Sequence, residues 1–543
     1  MPIPIIDLFA GPGGLGEGFS SLRDHKRQPV FEIGLSIEKD PVAHRTLILR
    51  AVYRRLQSTK HIQHYYSYIR NEIDEGTFRR IPAVAAAFAH AEREAQCLEL
   101  GKADEQSIDA DIRTALGGTD TWVLIGGPPC QAYSLAGRSR RTNDAKFHED
   151  EKHFLYKEYL RIIKVHRPTV FVMENVKGLL SSQHAGSPMF ERILADLSSP
   201  LPDLEYEIRS FVKKGDSGNL EPSDFVIQAE RYGIPQCRHR VILLGVRKDA
   251  GATRHELLQL VPKTATVKQA IDDLPKLRSR LSRNDSLEAW REAVFAGASY
   301  VEGWGTNSEE TITDLMRASA QTALTTGVGK PFAQKLGRRA KIKDQTELQK
   351  WVEDRSLNGV CQHESRSHMP SDLARYLFAA CFAQSAKYSP RLDIFPKRLL
   401  PNHVNVKDDR NSEVIPFKDR FRVQCAKEPA TTIVSHIAKD GHYYIHYDPT
   451  QCRSLTVREA ARLQTFPDNY FFVGNRTEQY TQVGNAVPPL LANKMAKIVR
   501  GLLAGLNREK RRKAKSTFIN AGELTVKTAS VGRQGILDLI PAN

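Results

Sequence analysis

The run 3-IPIIDLF-9 passes without a break into 10-AGPGGLGEGF-19, and this junction restricts the fold more than any other stretch of the 543 residues. An apolar segment of strand length, a glycine-rich turn and the start of a helix form the first half of a βαβ unit. Four more strands fit the chain: 31-FEIGLSIE-38, 121-TWVLI-125, 169-TVFVM-173 and 240-RVILLGVR-247. Between 125 and 169, the segment 151-EKHFLYKEYLRIIKVH-166 carries Leu155, Tyr159, Ile162 and Ile163 at helical spacing, and Pro168 ends it. Strands separated by helical stretches predict an α/β fold built on a parallel, doubly wound sheet.

From about 50 to 110 the chain is rich in Ala, Glu and Arg, shows no strand, and reads as a helical insertion. From about 250 to 430 it becomes mixed and basic, with 276-KLRSRLSR-283 and 335-KLGRRAKIK-343, as expected of a second, smaller domain. The expected organisation is a first domain over 1–248, a second over 249–430, a return to the first over 431–505, and a basic tail over 506–543. That tail, opening with 508-REKRRKAK-515, has the composition of a disordered segment. Lys and Arg number 79 against 63 Asp and Glu, a formal net charge of +16 that points to a polyanionic partner. No apolar run approaches membrane-spanning length, and MPIPIIDLF lacks the basic start of a signal peptide. Nucleic acid rather than membrane is therefore the expected partner, and the cytoplasm the expected compartment. Seven cysteines without a C-x-x-C pair give no disulfide framework and no four-ligand zinc pattern. Cys361, His363 and His368, in 361-CQHESRSH-368, lack a spaced partner pair, and no metal is expected.

Gly11, Gly13 and Gly16 satisfy G-x-G-x-x-G between a strand and a helix, and Glu38 closes the second strand. The glycines let backbone approach a ligand, and a carboxylate at that place accepts from ribose hydroxyls. This predicts a nucleoside cofactor without choosing among nicotinamide, flavin and S-adenosylmethionine. In 126-GGPPCQAYSLAGR-138, Pro128 and Pro129 must end the preceding strand, so Cys130 is held on a rigid turn where α/β sheets bind ligands. Glu174 and Asn175 lie just beyond the next strand's last apolar residue, at the same edge. Arg238 and Arg240 alternate into the last strand and so project on one face. A thiol, a carboxyl and two guanidiniums at one sheet edge make a reaction site. Thr456, with Glu459 three residues on, caps an amphipathic helix assigned to architecture.

Together, 7-DLFAGPGGLGEGF-19, 126-GGPPCQAYSLAGR-138, 174-ENVKGLL-180, 231-RYGIPQCRHRVILLGV-246, 453-RSLTVREAARLQTFPDNYFF-472 and 482-QVGNAVPPLLANKMAKIV-499 resemble the motifs of the DNA cytosine-5 methyltransferases. They follow that family's order and bracket almost the whole chain. The resemblance implies a Rossmann-like, S-adenosylmethionine-dependent methyltransferase whose target-recognition domain is 249–430. It implies that Cys130 adds to carbon-6 of a flipped-out cytosine, and that Glu174 stabilises a proton at ring nitrogen-3. Asn175 is implied to hold the strand end, Arg240 with Arg238 to bind the base's carbonyl oxygen, and 131-QAYSLAGRSRRTNDAK-146 to close over the DNA. For the cofactor it implies Phe9, Ala10, Gly11 and Gly13 around the methionine and adenosine, and Glu38 on the ribose hydroxyls. Asp111 is implied at the adenine amino group, and Asn485, in 484-GNAVPP-489, returns from the far end of the chain to complete the pocket.

The expected partner is double-stranded DNA; the family's usual role of protection against restriction implies either a companion endonuclease acting on the same site or, without one, an orphan DNA methylase. The chain is expected to act as a monomer on DNA. Cytosine-5 RNA methyltransferases share these motifs, but the long region before 453 favours sequence-specific DNA, which such a domain reads in the major groove. Cys130, Glu174 and Arg240, intact together, speak against a nicotinamide enzyme and against a binding module with a dead site.

Overall fold

The computed structural model describes residues 2–129, 155–184, 187–216, 218–251, 254–301, 307–322, 327–334, 345–401, 418–506 and 508. Five strands, β1 (Ile3–Leu8), β2 (Phe31–Glu38), β3 (Ala95–Cys97), β4 (Val123–Gly126) and β5 (Val170–Val176), pair in parallel. With β6 (Tyr206–Arg209), β7 (Val226–Gln228) and β8 (His239–Arg247) they form an eight-stranded sheet in the order β3-β2-β1-β4-β5-β8-β6, and β7 also pairs with β8. The chain leaves β1 toward β2 on one side and returns to β4 on the other. The crevice at the carboxyl ends of β1 and β4 is thus the topological switch point at which such sheets take ligands.

The expectation of an all-parallel sheet needs correction. β8 runs antiparallel to both β5 and β6. A parallel neighbour requires a long crossover, usually a helix. The described residues between β6 and β8 hold only short 3-10 turns and the brief strands β7 and Gln236–Cys237.

Strand side chains alternate between two cores. Ile5, Ile33, Val123, Val172 and Leu244 pack with Leu15 and Phe19 of α1 (Gly14–Ser20) and with Leu490, Met495 and Leu502 of a closing helix over 489–506. Ile6, Leu35, Leu124 and Phe171 face the other way, against α6 (Glu105–Leu116), α7 (Leu155–His166) and α8 (Met189–Ser198). Burial on both faces explains why the parallel strands read as continuous apolar runs.

The insertion is helical, as expected, and begins earlier: α2 (Pro41–Leu56), α3 (Ile62–Ile69), α4 (Glu75–Arg80) and α5 (Pro82–Glu94) share their own core. The stretch also contains β3, an edge strand of three residues, too short for its alternation to be visible. A further cluster, including Trp290, Val294, Leu373, Tyr376, Phe378 and Phe421, draws most of its residues from the 249–430 region and adds Ile445 and Cys452 of the returning segment, whereas Val267, Ile271, Leu348 and Val360 pack with the sheet's own core. Among the described residues no helix is long and apolar enough to cross a membrane.

Candidate active site

Beyond β1 the chain turns through three residues of positive φ, Phe9 (54°), Gly11 (56°) and Gly13 (92°). The Ala10 N–H donates to the Ile37 carbonyl at 3.1 Å and the Gly13 N–H to Ala10 at 2.9 Å, which closes the loop onto β2. Glu38 accepts from the Gly11 and Asp40 N–H groups, each at 2.8 Å, so its carboxylate is tied to the loop backbone. The loop glycines serve different ends. A Cβ on Gly11 would meet nothing within 4 Å, leaving that side open to a ligand. On Gly13 it would meet Leu47 at 2.8 Å and the Tyr470 hydroxyl at 3.0 Å, and on Gly14 the Val487 carbonyl at 2.2 Å. On that side Gly13 and Gly14 are packed against protein, which is why neither carries a side chain.

Sequence reasoning missed Asp7. It is 1% exposed at the end of β1, its carboxyl lies against the backbone of Gly16 in α1, and burial pushes its pKa up to about 8. Its signal was an acid inside an otherwise apolar strand. A tethered Glu38 beside open backbone at Gly11 fits a ligand bearing ribose hydroxyls, which S-adenosylmethionine presents.

At the neighbouring strand ends, β4 stops at Gly126, whose Cβ would stand 2.6 Å from the Leu8 carbonyl. A Cβ on Gly127 would lie 3.0 Å from the Glu174 carboxylate, so glycine lets that carboxylate lie against the turn. Glu174 pairs with Arg240 (Oε1 to Nε, 3.0 Å), their side chains 14% and 15% exposed. The Asn175 amide donates to the Pro128 carbonyl at 3.2 Å, and its oxygen accepts from the Val176 N–H at 2.8 Å, which fixes the Pro-Pro turn to β5. Cys130 follows that turn but lies outside the described residues, as do 131–146 and the basic 335–343.

Arg238 does not share Arg240's setting. It is 2% exposed and donates to the carbonyls of Ile433 (2.8 Å) and Gly484 (3.4 Å), while its Nε has no partner. Burial and the nearby Arg240 disfavour its charge. Gln236, unnoticed in the sequence, does similar stitching: its amide donates to Gln464 Oε1 at 2.8 Å and accepts from the Ile433 N–H at 2.7 Å. These contacts hold the returning segments against the strand end. Asn485 is exposed at the end of the helix Arg476–Asn485.

Asp111 has a protein partner of its own. It sits on α6 and accepts from Gln96 at 3.0 Å, and the residue registered beside Glu38 is Cys97. Cys361, His363 and His368 are engaged separately, with Ile69, with Thr456 and Pro275, and with Ser454 and Tyr376. Thr456 and Glu459 form the expected capping box.

Residues 92–500 match the family of C-5 cytosine-specific DNA methylases. The type II methyltransferase M.Bpa9945I of Bacillus paralicheniformis is 31% identical over 525 residues, covering 92% of this chain and 99% of that protein. M.AgeI of Thalassovita gelatinovora, also a type II methyltransferase, is 27% identical, with 91% and 98% covered. A crystal structure of a candidate DNA modification methyltransferase encoded within an E. coli prophage superposes with a TM-score of 0.50 at 17% identity, covering 93% of this chain and 99% of that one, which speaks to the fold. With the switch-point crevice, the glycine loop and the Glu174–Arg240 edge in place, the chain belongs to the C-5 cytosine-specific DNA methylases and is a DNA (cytosine-5-)-methyltransferase.

Proposed function

We propose that this enzyme methylates carbon-5 of a cytosine within a specific sequence of duplex DNA, through covalent attack by Cys130 on a base turned out of the helix. The observation that carries this reading is the Glu174–Arg240 pair lying against Gly127, three residues before Cys130. Carbon-5 of cytosine is a poor nucleophile, and covalent catalysis divides the difficult step into easier ones. The Cys130 thiolate bonds to carbon-6 and the displaced electron pair makes carbon-5 nucleophilic. Glu174 holds a proton at nitrogen-3, which draws electron density from carbon-6, and Arg240 donates to the base's carbonyl oxygen. Arg240 also favours the thiolate over the thiol. S-adenosylmethionine supplies an electrophilic methyl group when bound, with Glu38 and the Phe9–Gly13 backbone as its holders. Loss of the carbon-5 proton restores the ring double bond and expels the thiolate.

Inside a duplex neither face of the base is within reach of a side chain, so the base is flipped at the cost of unstacking. Residues 249–430 read the sequence, the +16 net charge supports binding to the phosphates, and the enzyme works in the cytoplasm as a monomer. Its likeness to type II methyltransferases supports protection from a companion endonuclease as its role.

The test is a duplex carrying 5-fluorocytosine at the target position, mixed with the enzyme and S-adenosylmethionine. Fluorine cannot leave as a cation, so the protein should remain attached to DNA through denaturing electrophoresis, and the Cys130→Ser variant should not. A cofactor-dependent methylation that leaves no adduct would overturn the covalent route.

A further inference from the structure

We propose that Arg50, in the helical insertion, is a positioning residue for the cofactor loop, and that the insertion serves as the bracket on which this loop is held. The proposal rests on the S-adenosylmethionine reading above. Arg50 is 4% exposed on α2, outside the strand–loop–helix unit that forms the site. Its Nε and Nη2 donate to the two oxygens of Glu17 at 2.8 and 2.6 Å, and Nη1 donates to Asn469 Oδ1 at 2.9 Å. The guanidinium lies 3.9 Å from the centre of the Tyr53 ring and 4.6 Å from that of Tyr470. Its two ends thus reach different parts of the loop's support.

Glu17 belongs to α1, the helix into which the loop runs. The Tyr470 hydroxyl donates to the Pro12 carbonyl at the loop's tip, and Leu47, one helical turn before Arg50, fills the space beside Gly13. The insertion secures the same returning segment again, because Tyr65 donates to the Asn469 carbonyl at 2.7 Å and Asn469 donates to the Tyr53 hydroxyl at 3.0 Å. A bidentate, doubly stacked guanidinium has one geometry, so it fixes α1 and Tyr470 relative to each other. Between them hang Pro12 and Gly13, and with them the open backbone of Gly11. Arg50 touches neither the crevice nor the Glu174–Arg240 edge, so its effect should fall on cofactor affinity rather than on chemistry.

The experiment compares the full-length wild type with Glu17→Gln/Arg50→Met, which removes both charges and so leaves neither buried alone. S-adenosylmethionine and S-adenosylhomocysteine are titrated calorimetrically, and KM for the cofactor and kcat are measured on duplex DNA. The double variant should melt as a folded protein, bind both ligands about tenfold more weakly, and show a KM for the cofactor raised in step while kcat at saturation holds. Tyr470→Phe, which deletes only the hydroxyl on Pro12, should weaken both ligands in the same direction. Unchanged affinity in the folded double variant, or in Tyr470→Phe where the double variant does not fold, would overturn the proposal, as would a fall in kcat at unchanged affinity. A wild type that binds neither ligand would instead overturn the cofactor reading.

Discussion

Two clusters of charge in this molecule are built on opposite plans. In the segment 453–468, Arg453 (1% exposed) donates twice to Glu459, each bond 2.7 Å, and Arg462 (2%) donates to Asp468 at 2.8 and 2.7 Å and also to Asp273. Arg458, fully buried, places its donors on the carbonyls of Cys361, Pro467 and Tyr470. These guanidiniums are saturated by the protein. At the strand ends, Glu174 and Arg240 share one ion pair and remain partly open. Saturated charge holds a structure together, and removing one partner leaves the other buried alone. Charge left short of partners is available to a ligand.

The comparison breaks first at Cys130. Cys130→Ser should keep S-adenosylmethionine binding but lose methyl transfer by several orders of magnitude, read with a radiolabelled methyl group, because the hydroxyl is a far weaker nucleophile at neutral pH. Glu174→Gln comes next: transfer should fall by roughly 10²–10⁴-fold while the melting temperature barely moves, since the pair it breaks is partly open to solvent. The saturated cluster should behave the opposite way. Glu459→Gln leaves Arg453 without its counter-charge and should cost about 3–5 kcal/mol in urea unfolding, with activity per folded molecule retained.

Acid sharpens the same contrast. Burial pushes the His363 pKa down to about 4 and that of His446 to about 3, so both stay neutral in the folded chain after the unfolded chain has taken up protons. Stability is therefore fully present above the ordinary histidine value of 6.5 and should drain away as pH falls from there toward about 4 and then about 3. Urea midpoints measured across that window should slope downward, and a flat profile would mean that these rings are not buried neutral. The smallest expected effect is at Asp111. Because it is held by Gln96 on α6, Asp111→Asn should leave S-adenosylmethionine affinity essentially unchanged by calorimetry.

Much of this was legible in the chain. The strand 31–38 is observed with the bounds its apolar pattern predicts, and Glu174 and Arg240 meet at one edge because each stands at a strand end beside a sharp change from apolar to polar sequence. The losses have physical causes. β3 is shorter than one period of its own pattern repeated twice, and strand direction in β8 depends on what fills the connection, which periodicity does not encode. Two arginines at i and i+2 looked equivalent, yet only the paths of residues 433 and 484, hundreds of positions away, decide that Arg238 is buried against carbonyls.

The most direct test of the central claim is bisulfite sequencing of plasmid DNA from a methylation-free host expressing the wild-type chain or Cys130→Ser. Cytosines that resist conversion should recur in one sequence context in the wild-type sample and vanish in the variant. Complete conversion in both samples, from cells that contain the folded protein, would contradict the assignment of sequence-specific cytosine-5 methylation to this site.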